Sequence, residues 1–95
     1  MAQIMNLLEK TKHLLRLYRI SPRKRLGQNF VIDGSLLQRL LSYGAIESGD
    51  VILEVGAGFG FLTRLLAEKC KKVIAVEVDR NLIKALETQL SDLEN

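Results

Sequence analysis

The chain predicts an α/β fold, the first half of a doubly wound parallel sheet preceded by helices. Three observations carry this. Two short apolar runs, Val51–Val55 and Val73–Val78, read as parallel strands buried on both faces. A glycine-rich stretch, Gly56–Gly60, follows the first run directly, as the tight loop of a strand–loop–helix unit does. Between the runs, and again after the second, leucines recur at helical spacing.

Taken in order, the elements justify themselves locally. Ile4, Leu7, Leu8, Leu14, Leu15 and Tyr18 share one helical face, which predicts an amphipathic helix over roughly residues 3–19. Ser21-Pro22 is expected to end it, because proline disfavours helix in the residue before it. A loop over residues 21–34 follows. Ser35 then caps a helix through about Tyr43, with Gln38 placed as in a capping box and Gly44 as the stop. Glu47-Ser48-Gly49-Asp50 reads as a turn before the first strand. Leu62, Leu65 and Leu66 mark the helix after the glycine loop, running to about residues 69–71. Asp79 caps a last helix carrying Leu82, Ile83, Leu86 and Leu90. Parallel strands need neighbours on each side, so the sheet is expected to be truncated after its second strand, as a fragment of a larger protein. Its unpaired apolar edges predict self-association.

Size and charge bound the partners. The chain has 95 residues, enough for one small domain, and 47% of them are hydrophobic, which excludes a disordered chain. No apolar run approaches the ~20 residues that cross a membrane, so no membrane partner is expected. Cys70 and His13 are each solitary, which argues against a metal site and fits a reducing, cytoplasmic setting. Residues 1–26 hold seven Lys/Arg against Glu9, a net of +6, and the remainder carries −3, which together give the chain's +3. A basic arm on a mildly acidic body points to an anionic partner for the arm. Arg23, Lys24 and Arg25 are the candidates for RNA phosphate contact, with Arg16 and Arg19 behind them; the alternative is a solvated charged face.

The chemistry concentrates in Glu54-Val55-Gly56-Ala57-Gly58-Phe59-Gly60. Glycines after a strand let a ligand approach the backbone, and the next helix begins with free amides. Glu77 lies 21 residues beyond Gly56 at the end of the second strand, where a carboxylate accepts from both hydroxyls of a ribose. An adenosine-like ligand follows, with two cofactors in view. The dinucleotide fingerprint G-x-G-x-x-G needs a glycine at position 61, which is Phe61; the third glycine is Gly60. The pattern with an acid two residues before the first glycine, here Glu54, belongs to enzymes using S-adenosylmethionine, whose cationic amino-acid tail gains from a carboxylate. A nicotinamide-dinucleotide oxidoreductase stays as the alternative, and a turn that uses glycines only for packing as the plainest one.

A longer pattern joins these. Leu26-Gly27-Gln28-Asn29-Phe30-Val31-Ile32-Asp33, then Glu54–Thr63, then Val76–Asp79 resemble, from about Ser21 to Asn95, the adenine dimethyltransferases of small-subunit ribosomal RNA. Related enzymes of large-subunit RNA share similar motifs. The resemblance implies a Rossmann-like methyltransferase domain, partial over residues 35–95, with residues 1–34 as a basic helix and a cofactor-contacting loop. It implies S-adenosylmethionine as cofactor and small-subunit ribosomal RNA or a pre-ribosomal subunit as partner. Asn29 and Val31 would border the methionine end of the cofactor, Val31 through its backbone where the family has leucine. Gly56, with Gly58 a weaker candidate, would lie against the amino-acid tail, and Glu77 would hold the ribose. The family's adenine-orienting Asn-Leu-Pro-Tyr-type motif and its acid near the cofactor's adenine have no counterpart in these residues, so no methyl transfer is expected from this chain alone. A non-catalytic RNA-binding assembly factor of the same fold is the other reading.

Overall fold

The computed structural model describes residues 6–21 and 34–95. The order is α1 (Leu7–Leu17), α2 (Gly34–Gly44), β1 (Val51–Val55), α3 (Phe61–Ala67), β2 (Lys72–Val76) and α4 (Arg80–Gln89), the helix–helix–strand–helix–strand–helix sequence expected. β1 and β2 pair in parallel with Val51 beside Lys72 and Val55 beside Val76. Both ends of this ladder are closed by the backbone. The Lys71 amide donates to the Asp50 carbonyl at 2.9 Å, and the Gly56 amide to the Val76 carbonyl at 2.8 Å.

The ends of α1 and α2 differ from expectation. Asn6 caps α1, its Oδ1 accepting from the Glu9 amide at 2.8 Å. The helix stops at Leu17, well before Pro22. Arg19 takes a left-handed φ of 54°, the Ile20 amide donates to the Leu15 carbonyl at 2.9 Å, and the Arg19 amide to the Arg16 carbonyl at 3.2 Å. That is a Schellman closure, and it is fastened by burial of Ile20 in the core next to Leu15. The stop is therefore tertiary, since the buried apolar residue past the helix end outweighs the left-handed strain on Arg19. α2 begins at Gly34, so Ser35 sits inside the first turn instead of capping it, and the left-handed residue after the helix is Ala45 (φ 47°), not Gly44. The Glu47–Asp50 turn forms as expected, with the Glu47 amide donating to Asp50 Oδ2 at 2.8 Å and the Asp50 amide to the Glu47 carbonyl at 3.1 Å.

The core joins α1, the glycine loop and α4. Leu14, Ile20, Phe59, Leu82 and Ala85 are buried together, with Leu15, Tyr18 and Phe61 packed around them. Leu82 is 1% exposed, so truncating it to Ala costs about 2–5 kcal/mol. α3 lies on β2 and touches α2.

The strands are buried on one face only. Ile52, Glu54, Val73 and Ala75 are half-buried, whereas Val51, Leu53, Val55, Ile74 and Val76 are exposed, Leu53 at 63% and Val55 at 77%. This corrects the expectation of strands buried on both faces. Apolar residues on both sides of a strand announce two covering layers, and the described elements supply one.

Candidate functional site

Glu54 and Gly56 stand at the carboxyl end of β1, and Glu77 follows the last residue of β2. Parallel register puts these two ends side by side, which is where ligands bind in open α/β sheets. β2 ends at Val76, before the expected Val78, because the chain turns as soon as it passes Glu77. The turn is held by the Glu77 carboxylate itself: Oε2 accepts from the Asp79 amide at 3.0 Å, and Asp79 in turn caps α4 through the Asn81 amide at 2.9 Å.

The other oxygen of Glu77 reaches across the site. Oε1 accepts from the Gly58 amide at 2.9 Å. Each oxygen thus uses one backbone donor and retains a lone pair, the arrangement needed to accept from two adjacent hydroxyls. The Gly58 amide is thus spent on fixing Glu77.

The remaining loop glycines divide their work. Gly56 has φ +79°, and a Cβ built on it meets nothing within 4 Å, so this point of the loop faces open space. Gly60 has φ +84°, and a Cβ there would sit 2.8 Å from Leu86 Cδ1 and 3.1 Å from Leu90 Cδ2. Gly56 therefore suits close approach of a ligand, while Gly60 exists for the packing of α4.

Glu54 is half-buried on the covered face of the sheet and its Oε1 accepts from the Thr63 hydroxyl of α3. Burial pushes its carboxyl up from the ordinary value, and the Thr63 hydrogen bond opposes that rise. Thr63 itself is buried, at 3% exposure. Sequence reasoning assigned it no role, although it closes the Glu54–Thr63 motif; the signal available was a polar residue on the inward face of a short apolar helix.

The loop is poorly equipped for a pyrophosphate. The amides of Gly56 and Ala57 both donate to the Val76 carbonyl, that of Gly58 to Glu77, and that of Gly60 to the Ala57 carbonyl at 3.0 Å. A dinucleotide cradle needs such donors turned outward. Two carboxylates and an open glycine fit instead a ligand with hydroxyls and a cationic end. Asn29, Val31, Arg23, Lys24 and Arg25 lie outside the described residues. Among the described residues no group of three or more His, Cys, Asp or Glu could hold a metal, and no helix is long and apolar enough to cross a membrane.

Comparison with known proteins gives the family of the chain. The chain is 47% identical over 85 residues to the ribosomal RNA small subunit methyltransferase A of Clostridioides difficile (strain 630), covering 90% of this chain and 29% of that protein. It is 43% identical over 86 residues to the protein of the same name from Alkaliphilus metalliredigens (strain QYMF), covering 90% and 30%. The chain thus spans about 30% of the length of these relatives. Among solved structures, a dimethyladenosine transferase from Plasmodium falciparum superposes with a TM-score of 0.66 at 28% identity over 70% of this chain and 26% of that one. The 23S rRNA methyltransferase ErmE gives 0.63 at 35% identity over 66% and 26%. The fold is accordingly the Rossmann-like α/β unit of methyltransferases. The family model for ribosomal RNA adenine dimethylase matches residues 19–95, a span that holds Glu54, the glycine loop, Thr63 and Glu77, and the chain belongs to that family.

Proposed function

We propose that this chain forms the cofactor-holding part of an enzyme that dimethylates adenine exocyclic amines in small-subunit ribosomal RNA, with S-adenosylmethionine as methyl donor. The observation that carries the reading is the pair of carboxylates, Glu54 and Glu77, at the adjacent ends of two parallel strands, with Gly56 open beside them. When bound, S-adenosylmethionine supplies an electrophilic methyl on its sulfonium. Glu77 accepts from the ribose hydroxyls, with the amides of Gly58 and Asp79 fixing its orientation. Glu54 offers a negative charge to the cationic amino-acid tail, and Gly56 leaves room for that tail. Asn29 and Val31 complete the methionine end, following the family pattern. Arg23, Lys24 and Arg25 contact RNA phosphates. Methyl transfer needs the adenine amine aligned at near-attack distance, and none of these residues does that, so the chain by itself binds without transferring.

Calorimetric titration tests this. S-adenosylmethionine binds and NADH does not, and Glu77→Ala weakens binding by about tenfold or more, the worth of hydrogen bonds to a charged group. Binding of NADH, or indifference to Glu77→Ala, overturns the reading. For the arm, replacing Arg23, Lys24 and Arg25 with Ala lowers the salt dependence of RNA binding by about one unit of slope for each phosphate no longer neutralised.

A further inference from the structure

We infer that Thr63 is a positioning residue for the cofactor, its hydroxyl fixing the Glu54 carboxylate so that the other oxygen, Oε2, is presented to the cationic amino-acid tail. The inference rests on the proposed placement of Glu54 at that tail.

The geometry is specific. Thr63 is nine residues from Glu54 along the chain and comes from a different element, the first turn of α3. Its side chain is buried, and its one hydroxyl proton goes to Glu54 Oε1. Among the described residues Oε2 of Glu54 accepts no hydrogen bond. This half-buried carboxylate has one oxygen anchored and, among the described residues, one in reserve. Without the anchor the carboxylate would lose its fixed orientation, and its charged form would lose a hydrogen bond that offsets desolvation.

Among the described residues, the charged groups on neighbouring elements do not substitute for Thr63. Glu77, beyond β2, is occupied by the Gly58 and Asp79 amides. Asp79 caps α4. Arg64, next to Thr63 on α3, turns the other way and is held by Asp92 at 2.7 Å and by the Gln89 carbonyl. Among the described residues, burial and the Thr63 hydroxyl set the state of Glu54, burial the larger of the two.

The test uses Thr63→Val, which keeps shape and removes the donor, Thr63→Ser, which keeps the donor, and Glu54→Gln. Each chain is titrated with S-adenosylmethionine and with 5′-methylthioadenosine, which shares the adenosine and sulfur but has no amino-acid tail. Thr63→Val weakens S-adenosylmethionine by about tenfold, as expected for a hydrogen bond to a charged group, and leaves 5′-methylthioadenosine unchanged. Thr63→Ser restores the affinity, and Thr63→Val adds nothing to Glu54→Gln. In the unliganded chain, carbon-13 titration of the Glu54 carboxyl moves to higher pH in Thr63→Val. Equal weakening of both ligands, or an unmoved Glu54 midpoint, overturns the inference, and the midpoint decides it even in a sample that binds neither nucleoside. Undiminished S-adenosylmethionine binding by Glu54→Gln overturns the placement of Glu54 at the tail. A loss with Glu54→Gln but none with Thr63→Val overturns the role of Thr63 alone.

Discussion

The Gly58 amide donates to Glu77 Oε1 at 2.9 Å, tying the glycine loop to the end of the neighbouring strand. A residue proposed to hold a ligand is therefore also a strut of the unliganded chain. Glu77→Ala leaves the Gly58 and Asp79 amides without their acceptor, and each hydrogen bond removed costs about 0.5–1.5 kcal/mol net. Chemical denaturation of Glu77→Ala should show this loss without any ligand. Glu77→Gln, which keeps acceptor oxygen, should recover part of the stability and little of the affinity.

The two glycines that frame the loop should separate binding from folding. Gly56→Ala carries only the left-handed strain, about 1–2 kcal/mol, because its added methyl enters open space. That space is the proposed approach path, so the affinity for S-adenosylmethionine falls much further than the stability. Gly60→Ala adds a clash with Leu86 to the same strain and costs about 2–4 kcal/mol. Thermal melts and titrations on both variants, read together, check the contrast.

Acid should act on the free chain and on binding in opposite directions. The Glu54 carboxyl is pushed up from its ordinary 4.5 by burial, so the folded chain holds that proton more tightly than the unfolded one. Its contribution to stability is fully present below 4.5 and is lost as pH rises through the elevated folded value. Binding of a cationic tail needs the ionised form, so affinity falls as pH drops through the same window. Asp92, whose carboxyl Arg64 holds below its ordinary value, contributes with the opposite sign to stability. Comparing wild type with Glu54→Gln at several pH values cancels Asp92 and isolates Glu54.

The open sheet face should make the chain self-associate. Leu53, Val55, Ile74 and Val76 form an apolar strip beside strand edges that are themselves able to pair. Sedimentation velocity should show mass rising with concentration, and Leu53→Lys should lower it. A single monomer species at high concentration in both chains would contradict this.

Much of the fold was legible because its signals are local. β1 runs from Val51 to Val55 as read, since a turn precedes it and glycines follow. Asp79 caps α4 as its position implied. What escaped depended on partners distant in sequence. The end of α1 is decided by burial of Ile20 against residues such as Phe59 and Leu82, and no rule about Pro22 contains that information. Gly58 and Gly60 look alike in sequence, yet one serves Glu77 and the other makes room for Leu86. Thr63 stood inside a recognised motif with no role attached, because only folding brings it to Glu54.

The uncovered side of the β1–β2 ladder has a meaning for the life of the chain in a cell. A row of aliphatic side chains open to water is what chaperones and proteases recognise in incompletely folded proteins. How much of this chain accumulates should then depend on how quickly that row is hidden. Substitutions there, far from Glu54 and Glu77, would change abundance while leaving each surviving molecule's affinity intact.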